Sequence, residues 1–228
     1  MEKIALIIAG GKGLRMQTSV PKQFLKLGGK PVLMRTMERF LTYDPQIRLV
    51  VVLPAGTKNF WEALKRRHNF TAVHRVVEGG ASRFQSVRNG LAGLPGDSLV
   101  FIHDGVRPLV SLQTLARCEQ KAMEKGNALP VLPETESLRK LTATGSVSAD
   151  RSCFFRVQTP QTFHTEDIRK AYDQPEQSSF TDDASVYEAR GGQIHLVEGN
   201  PENIKLTGLF DLQLAEYFFR AGTGSIPR

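Results

Sequence analysis

Three short stretches of this 228-residue chain set glycines beside charges in a way that suits chemistry on an anion. The first is Gly10-Gly11-Lys12-Gly13-Leu14-Arg15, followed by Pro21-Lys22-Gln23. A glycine turn exposes backbone N–H groups that can surround a phosphate, and Arg15 and Lys22 add two cations within reach of a triphosphate. The cations Lys3, Lys12, Arg15, Lys22, Lys26 and Lys30 face Glu2 alone within residues 1–30, so much of the formal net charge of +7 sits there. That concentration points to a local anion site, not to a basic stripe. The loop lacks the Gly-Lys-Ser/Thr of a Walker A motif, and the third glycine of a dinucleotide fingerprint would fall at Met16. By itself it also fits a tight turn with solvated cations. The second stretch is Glu78-Gly79-Gly80. The third is His103-Asp104-Gly105-Val106-Arg107-Pro108.

Each stretch follows an apolar run, and in open α/β sheets ligands collect at the carboxyl ends of the strands. Residues 3–9, 48–54, 73–77, 98–103 and 128–132 read as strands, the first and second nearly continuous in apolar residues as buried parallel strands are. Pro31 opens a predicted helix with Leu33, Met34, Met37, Phe40 and Leu41 on one face. Further helices are predicted over 58–67, over 82–91 with Phe84, Val87 and Leu91 inward, and over 112–125. This alternation predicts an α/β fold, a single domain over 1–228 built on a doubly wound, mostly parallel, Rossmann-like sheet. Residues 134–156 break the pattern and read as a protruding β-arm with a hairpin at Gly145 and a turn at Asp150-Arg151. Thr181 reads as an N-cap before Asp182 and Asp183. A strand near 194–197, a helix around 209–219 and a disordered tail at 222–228 complete the expectation.

Composition narrows the class. Hydrophobic residues make up 40% of the chain, ordinary for a globular core. No apolar run approaches the roughly 18–20 residues of a membrane span, and the short apolar run after Met1-Glu2-Lys3 reads as a first strand, not a signal peptide. Cys118 and Cys153 have neither metal-ligand spacing nor a disulfide framework, so a reduced, cytoplasmic setting is expected. No nucleic-acid module and no interleaving of aromatics with Lys and Arg is evident. Other polar residues have plain structural readings. His103 reads as a packed strand-end histidine, Asp104 as an Asx-turn as much as a ligand, and Asp182 and Asp183 as helix-capping charges. Arg151 could be an exposed turn residue, and the cysteines buried or inert thiols.

The blocks Ala9–Met16 (A-G-G-K-G-L-R-M) and P-K-Q-F at 21–24 resemble the signature of sugar- and polyol-phosphate nucleotidyltransferases. More narrowly, they are similar to the 2-C-methyl-D-erythritol 4-phosphate cytidylyltransferase family of non-mevalonate isoprenoid biosynthesis. The resemblance continues through E-G-G-A-S-R-F-Q-S at 78–86, residues 103–108, T-P-Q-T-F at 159–163, T-D-D-A-S at 181–185 and E-G-N-P-E-N-I-K-L-T at 198–207. It implies transfer of CMP from CTP to the phosphate of a polyol phosphate, with pyrophosphate released and Mg²⁺ as cofactor. Arg15, Lys22, Arg151 and Lys205 match the catalytic positions. Ala9, Gly10, Gly11, Gly13, Gly80, Ala81, Ser86 and Asp104 match the CTP-binding positions, with Asp104 the candidate metal ligand. Arg107, Ser137 and Thr159 match positions on the substrate side, Arg107 more as support for its loop. The resemblance also implies a homodimer in which the β-arm lends Arg151 and Ser137 to the partner's site.

Some positions depart from the pattern. Ala81 stands where the family often has an acidic residue, Ser137 where it often has threonine, and Gly105-Val106 where two alanines are common. A ribitol 5-phosphate cytidylyltransferase is the nearest alternative, but the T-P-Q-T-F block, the R-F-Q-S segment and the Asp150-Arg151 turn favour methylerythritol. A non-catalytic CTP-binding protein and a nucleic-acid module are the more distant ones. The length leaves no room for an appended cyclase domain, so the bifunctional form is not expected.

Overall fold

A computed structural model of the chain describes residues 1–10 and 21–222. In chain order the elements begin with β1 (Glu2–Ile8), a 3-10 turn at Lys22–Phe24, β2 (Lys26–Leu27), β3 (Lys30–Pro31), α1 (Val32–Tyr43), β4 (Arg48–Leu53) and α2 (Lys58–Arg67). They continue with β5 (Arg75–Glu78), α3 (Arg83–Leu91), β6 (Ser98–Asp104), α4 (Leu112–Lys125) and β7 (Asn127–Pro133). Then come β8 (Leu138–Thr142), β9 (Gly145–Ala149), a 3-10 turn at Arg151–Cys153, β10 (Phe155–Val157) and β11 (Gln161–His164). The chain closes with α5 (Thr165–Tyr172), α6 (Asp183–Glu188), β12 (Leu196–Glu198) and α7 (Leu209–Arg220).

The main sheet runs β10-β7-β11-β6-β1-β4-β5, with β12 beside β7. β1 pairs in parallel with β4 and β6, β4 with β5, and β7 with β12, while β10 and β11 run antiparallel. The expected doubly wound, mostly parallel sheet is therefore present, with an antiparallel insertion that the sequence pattern did not reveal. From β1 the chain steps outward to β4 and β5, then returns to β6 on the other side of β1. The switch point between β1 and β6 opens a crevice at their carboxyl ends, where open α/β sheets bind ligands.

Strand residues alternate between two cores. Ala5, Ile7, Leu49, Val51, Leu99 and Phe101 face Leu33, Met37 and Phe40 of α1, Trp61 of α2, and Leu115 and Cys118 of α4. Ile4, Leu6, Val50, Val52, Val100 and Ile102 face Phe84, Val87 and Leu91 of α3, Ile168 and Tyr172 of α5, and Val186 of α6. Each fully buried large apolar side chain contributes about 2 kcal/mol, so the sheet is held rigidly from both faces. A third cluster of Leu27, Val32, Val106, Leu206 and Ala215 fastens α7 over the β2–β3 hairpin and the segment around Lys205.

Local chemistry fixes the boundaries. Pro31 is the N-cap of α1, and Ser82 caps α3 by accepting from the Gln85 amide at 3.1 Å. Asp182, not Thr181, caps α6, in a reciprocal capping box with Ser185. Asp183 stands in the first turn of α6, as its charge suggested, but it is fully buried and paired with Arg83 and Tyr172. The third strand starts later than its apolar run, at Arg75, and Val73 is 90% exposed. The arm is present as β8 and β9, an antiparallel hairpin outside the main sheet with Thr142 opposite Gly145. Cys118 is buried, whereas Cys153 at the arm's base is exposed. Of the predicted tail at 222–228, residues 223–228 lie outside the described residues. No helix among the described residues is long and apolar enough to cross a membrane.

Candidate active site

The carboxyl ends of β1, β5 and β6 meet the turn carrying Lys22 and the strap carrying Lys205 around a cavity of about 400 Å³. Ala9, Gly10, Lys22, Gly80, Ala81, Ser86, Asp104 and Lys205 line it, together with Arg83 and Val106. A second cavity of about 240 Å³ opens beside it, lined in part by Arg107, Thr159 and Asp182. The two share Arg83, Asp104 and Lys205. Gly11, Gly13 and Arg15 lie outside the described residues.

Asp104 is the electrostatic centre. It closes β6, is 6% exposed, and its Oδ2 accepts from Lys205 Nζ at 3.1 Å and Arg107 Nε at 3.2 Å. Arg83 Nε lies 3.9 Å from Oδ1. Burial pushes the carboxyl upward, but the charges of Arg83, Lys205 and Arg107 outweigh it and hold the group well below the usual carboxylate range. Asp104 is thus a fixed anion that gathers three cations at the junction of the cavities.

A hydrogen-bond relay fixes the backbone here. His103 is fully buried, with Nε2 3.0 Å from the Arg107 carbonyl and Nδ1 2.9 Å from the Thr159 hydroxyl. A carbonyl only accepts, so Nε2 carries the proton and Thr159 donates to Nδ1. The Thr159 hydroxyl in turn accepts from the Asp104 amide at 3.1 Å. Burial takes His103 down to about 4, so it stays neutral and structural, as the packed-histidine reading holds. The same relay occupies the Thr159 hydroxyl, which positions the Asp104 loop from within the protein. Arg107 also donates to the Asn203 carbonyl at 2.8 Å and so braces the loop.

The strap before Lys205 is secured by its asparagines. Asn203 donates to the Thr159 carbonyl at 2.8 Å, and Asn200 accepts from the Ser111 amide at 3.0 Å and donates to the Leu109 carbonyl at 3.1 Å. The Leu206 amide donates to the Val106 carbonyl, which sets Lys205 beside Asp104. Lys22 stands on its own 3-10 turn, tied to β1 by Gln23 Nε2 donating to the Ala9 carbonyl at 2.8 Å. Burial raises the Asp211 carboxyl, but bonds from Thr207 and Gly208 and the nearby Lys22 charge bring it below its ordinary value.

On the β5 side the Gly80 amide donates to Ser86 Oγ at 3.1 Å, and Ser86 donates to the Ser82 carbonyl at 2.8 Å. The Ala81 amide donates to Gln85 Oε1 at 3.1 Å. A Cβ on Gly80 would lie 2.3 Å from Gln85 Cβ, so only glycine fits this close approach.

Arg151 and Ser137 are not brought to either cavity. Both are exposed on the arm, and Arg151 donates to the Thr135 carbonyl. The residue that sequence reading missed is Arg83. Its guanidinium grips Asp183 at 2.8 and 2.7 Å while lining both cavities. The partner lies 100 residues away, and no local signal announces it. Among the described residues no group of three or more His, Cys, Asp or Glu could hold a metal. Asp104 is the carboxylate common to the two cavities, and one carboxylate with substrate phosphates and water is a usual Mg²⁺ set.

The family model for 2-C-methyl-D-erythritol 4-phosphate cytidylyltransferase matches residues 3–221. A protein of that name from Bacteroides fragilis is 49% identical, over 94% of this chain and 98% of its own length. One from Porphyromonas gingivalis is 51% identical, over 94% of this chain and 96% of its own. The crystal structure of 2-C-methyl-D-erythritol 4-phosphate cytidylyltransferase from Thermus thermophilus superposes with a TM-score of 0.78 at 33% identity, covering 96% of this chain and all of that one.

Proposed function

The chain belongs to the 2-C-methyl-D-erythritol 4-phosphate cytidylyltransferase family, and on that premise we propose how its residues divide the work. The enzyme transfers the cytidylyl group of CTP to 2-C-methyl-D-erythritol 4-phosphate in isoprenoid biosynthesis. An oxygen of the acceptor phosphate attacks the α-phosphorus, the bond to the β-phosphate oxygen breaks, and pyrophosphate leaves. A phosphate oxyanion is already a nucleophile near neutral pH, so the protein needs no general base. Its contribution is alignment and charge stabilisation.

The observation that carries this reading is the pair of adjoining cavities sharing Arg83, Asp104 and Lys205. The larger takes CTP, the smaller lies on the acceptor's side, and Lys205 at their junction reaches the α-phosphate and the incoming phosphate together. Lys22, with Arg15, stabilises charge that builds on the triphosphate. Glycines 10, 11 and 13 and Ala9 approach the nucleotide through their backbone. Because the Gly80 amide is engaged by Ser86, Gly80 offers its carbonyl, an acceptor that suits the 4-amino group of cytosine. Asp104 faces the ribose or holds Mg²⁺, which when bound adds neutralising charge to the phosphates. Arg151 and Ser137 act from the arm on the other copy in a homodimer, and the exposed Leu141, Val147, Phe154 and Phe155 supply the apolar surface for that contact. The setting is the cytoplasm.

Pyrophosphate release measured with CTP and either methylerythritol 4-phosphate or ribitol 5-phosphate tests the acceptor side directly. Turnover with the first at least about tenfold faster is expected, since a site built around one polyol's hydroxyls rejects another. Equal turnover, or none with either, contradicts the reading.

A further inference from the structure

The turn that carries Lys22 is held from two sides. Gln23 ties it to the end of β1. On the other side Phe24, 4% exposed, stacks on Trp61 of α2 with ring centroids 6.1 Å apart and planes 24° from parallel. Trp61 is the chain's single tryptophan and is fully buried. Its indole Nε1 donates to His74 Nε2 at 2.9 Å. Indole nitrogen only donates, so Nε2 must be unprotonated, and the His74 proton then sits on Nδ1 and goes to the Ala72 carbonyl at 2.7 Å. Phe70 packs edge-on against Trp61, with centroids 6.1 Å apart. Apolar contact would keep a ring of this size buried; the hydrogen bond fixes which way it is turned.

We propose that Trp61, oriented by His74, is a positioning residue for Lys22: it braces the turn through Phe24, and protonation of His74 at Nε2 loosens it. This rests on Lys22 being the triphosphate clamp. A proton on Nε2 sets one N–H against another and leaves the indole without an acceptor, so the ring must turn or the pair must part. The charged groups that bear on His74 are Lys65 and Glu62, both on α2. Burial lowers the His74 pKa; the Ala72 bond works against this, Lys65 adds to it and Glu62 opposes it. A histidine lowered on folding keeps its full stabilising contribution above about pH 6.5, its unfolded value, and loses it as pH falls through the lower folded one. The brace therefore holds at neutral pH and fails on the acid side.

The test is steady-state pyrophosphate release by the full-length enzyme and its Trp61→Phe, His74→Gln and Lys22→Ala variants, from about pH 8 to pH 5. Phenylalanine keeps the aromatic contact and removes the N–H, so kcat falls about tenfold while KM for CTP stays within about twofold, as for lost alignment of a transition-state group. Glutamine can accept from the indole and does not titrate. The ratio of wild-type to His74→Gln turnover should be constant above about pH 7 and fall as the pH is lowered towards about 5. Titration of the acceptor phosphate is common to both proteins and cancels in that ratio. An unchanged kcat in Trp61→Phe, or a flat ratio, overturns the proposal. If His74→Gln does not fold, Trp61→Phe decides it alone. Near-normal turnover in Lys22→Ala instead overturns the clamp reading, whatever Trp61→Phe does.

Discussion

The strand-end pocket and the arm use charge in opposite ways. In the pocket Asp104, Arg83, Arg107 and Lys205 are interlocked within 3.9 Å contacts on buried strands and braced loops. On the arm Ser137 and Arg151 sit exposed at the two ends of a hairpin that pairs with no described strand of the main sheet. The pocket is preorganised by its own chain and can aim dipoles and cations at a triphosphate without rearrangement. The arm displays Ser137, Arg151 and the apolar Leu141 and Val147 at its exposed surface. The contrast is what the proposed division calls for: a nucleotide half within one copy and an acceptor half at a contact between copies.

That division can be stressed at several points. The largest effect should come from the frame beneath the pocket. Asp183→Asn leaves Arg83 without its buried partner and should cost about 3–5 kcal/mol in urea unfolding, whereas Leu141→Ser on the arm should stay within about 0.5 kcal/mol in a monomeric background. A small loss at Asp183 would mean that the pocket is not rigidly framed. Next, Lys22→Ala should lower kcat at least about a hundredfold; near-full turnover would remove Lys22 from the triphosphate. Arg151→Ala should raise KM for methylerythritol phosphate about tenfold and leave KM for CTP within about twofold. An equal effect on both substrates would erase the distinction between the two halves.

The smallest effect is pH-dependent. Asp104 has a folded pKa far below its ordinary value because Arg83, Lys205 and Arg107 outweigh burial. Its pairing therefore stabilises the fold fully above the unfolded carboxylate value near pH 3.9 and is lost as pH falls towards the folded one. The stability difference between wild type and Asp104→Asn should be flat from about pH 8 to pH 5 and shrink below about pH 4. A difference that changes across the neutral range would show that other groups set the charge there.

The parallel strands were legible because burial on both faces leaves nearly unbroken apolar runs, as in Leu-Val-Val-Val-Leu of β4. β11 was not: Gln161 and Thr162 are buried polar residues, and Gln161 spends its amide on Asp182 and the Ala184 backbone. Buried polar residues read as loop in a sequence. Gly10, Lys22, Gly80 and Asp104 of the glycine stretches do line the pocket, since turn chemistry is local, but the clustered Lys3 and Lys30 pair elsewhere, with Asp44 and Glu119 and with Glu38. What holds the pocket is not local. The asparagines at 200 and 203, the Thr159–His103 relay and the Arg83–Asp183 pair join residues far apart in the chain. Asp182 and Thr181 are both good capping types, and only the Ser185 reciprocal bond chooses between them.

Whether the acceptor half of each site comes from the other copy is decided by a heterodimer with Lys22→Ala in one subunit and Arg151→Ala in its partner, isolated with two different affinity tags. If the arm reaches across, one of the two sites in this pair carries both substitutions and the other carries neither, so about half of wild-type turnover survives. If Arg151 serves its own subunit, each site carries one substitution; the one site that keeps Lys22 then has the raised KM for methylerythritol phosphate, and at acceptor well below KM turnover should fall to about a twentieth of wild type.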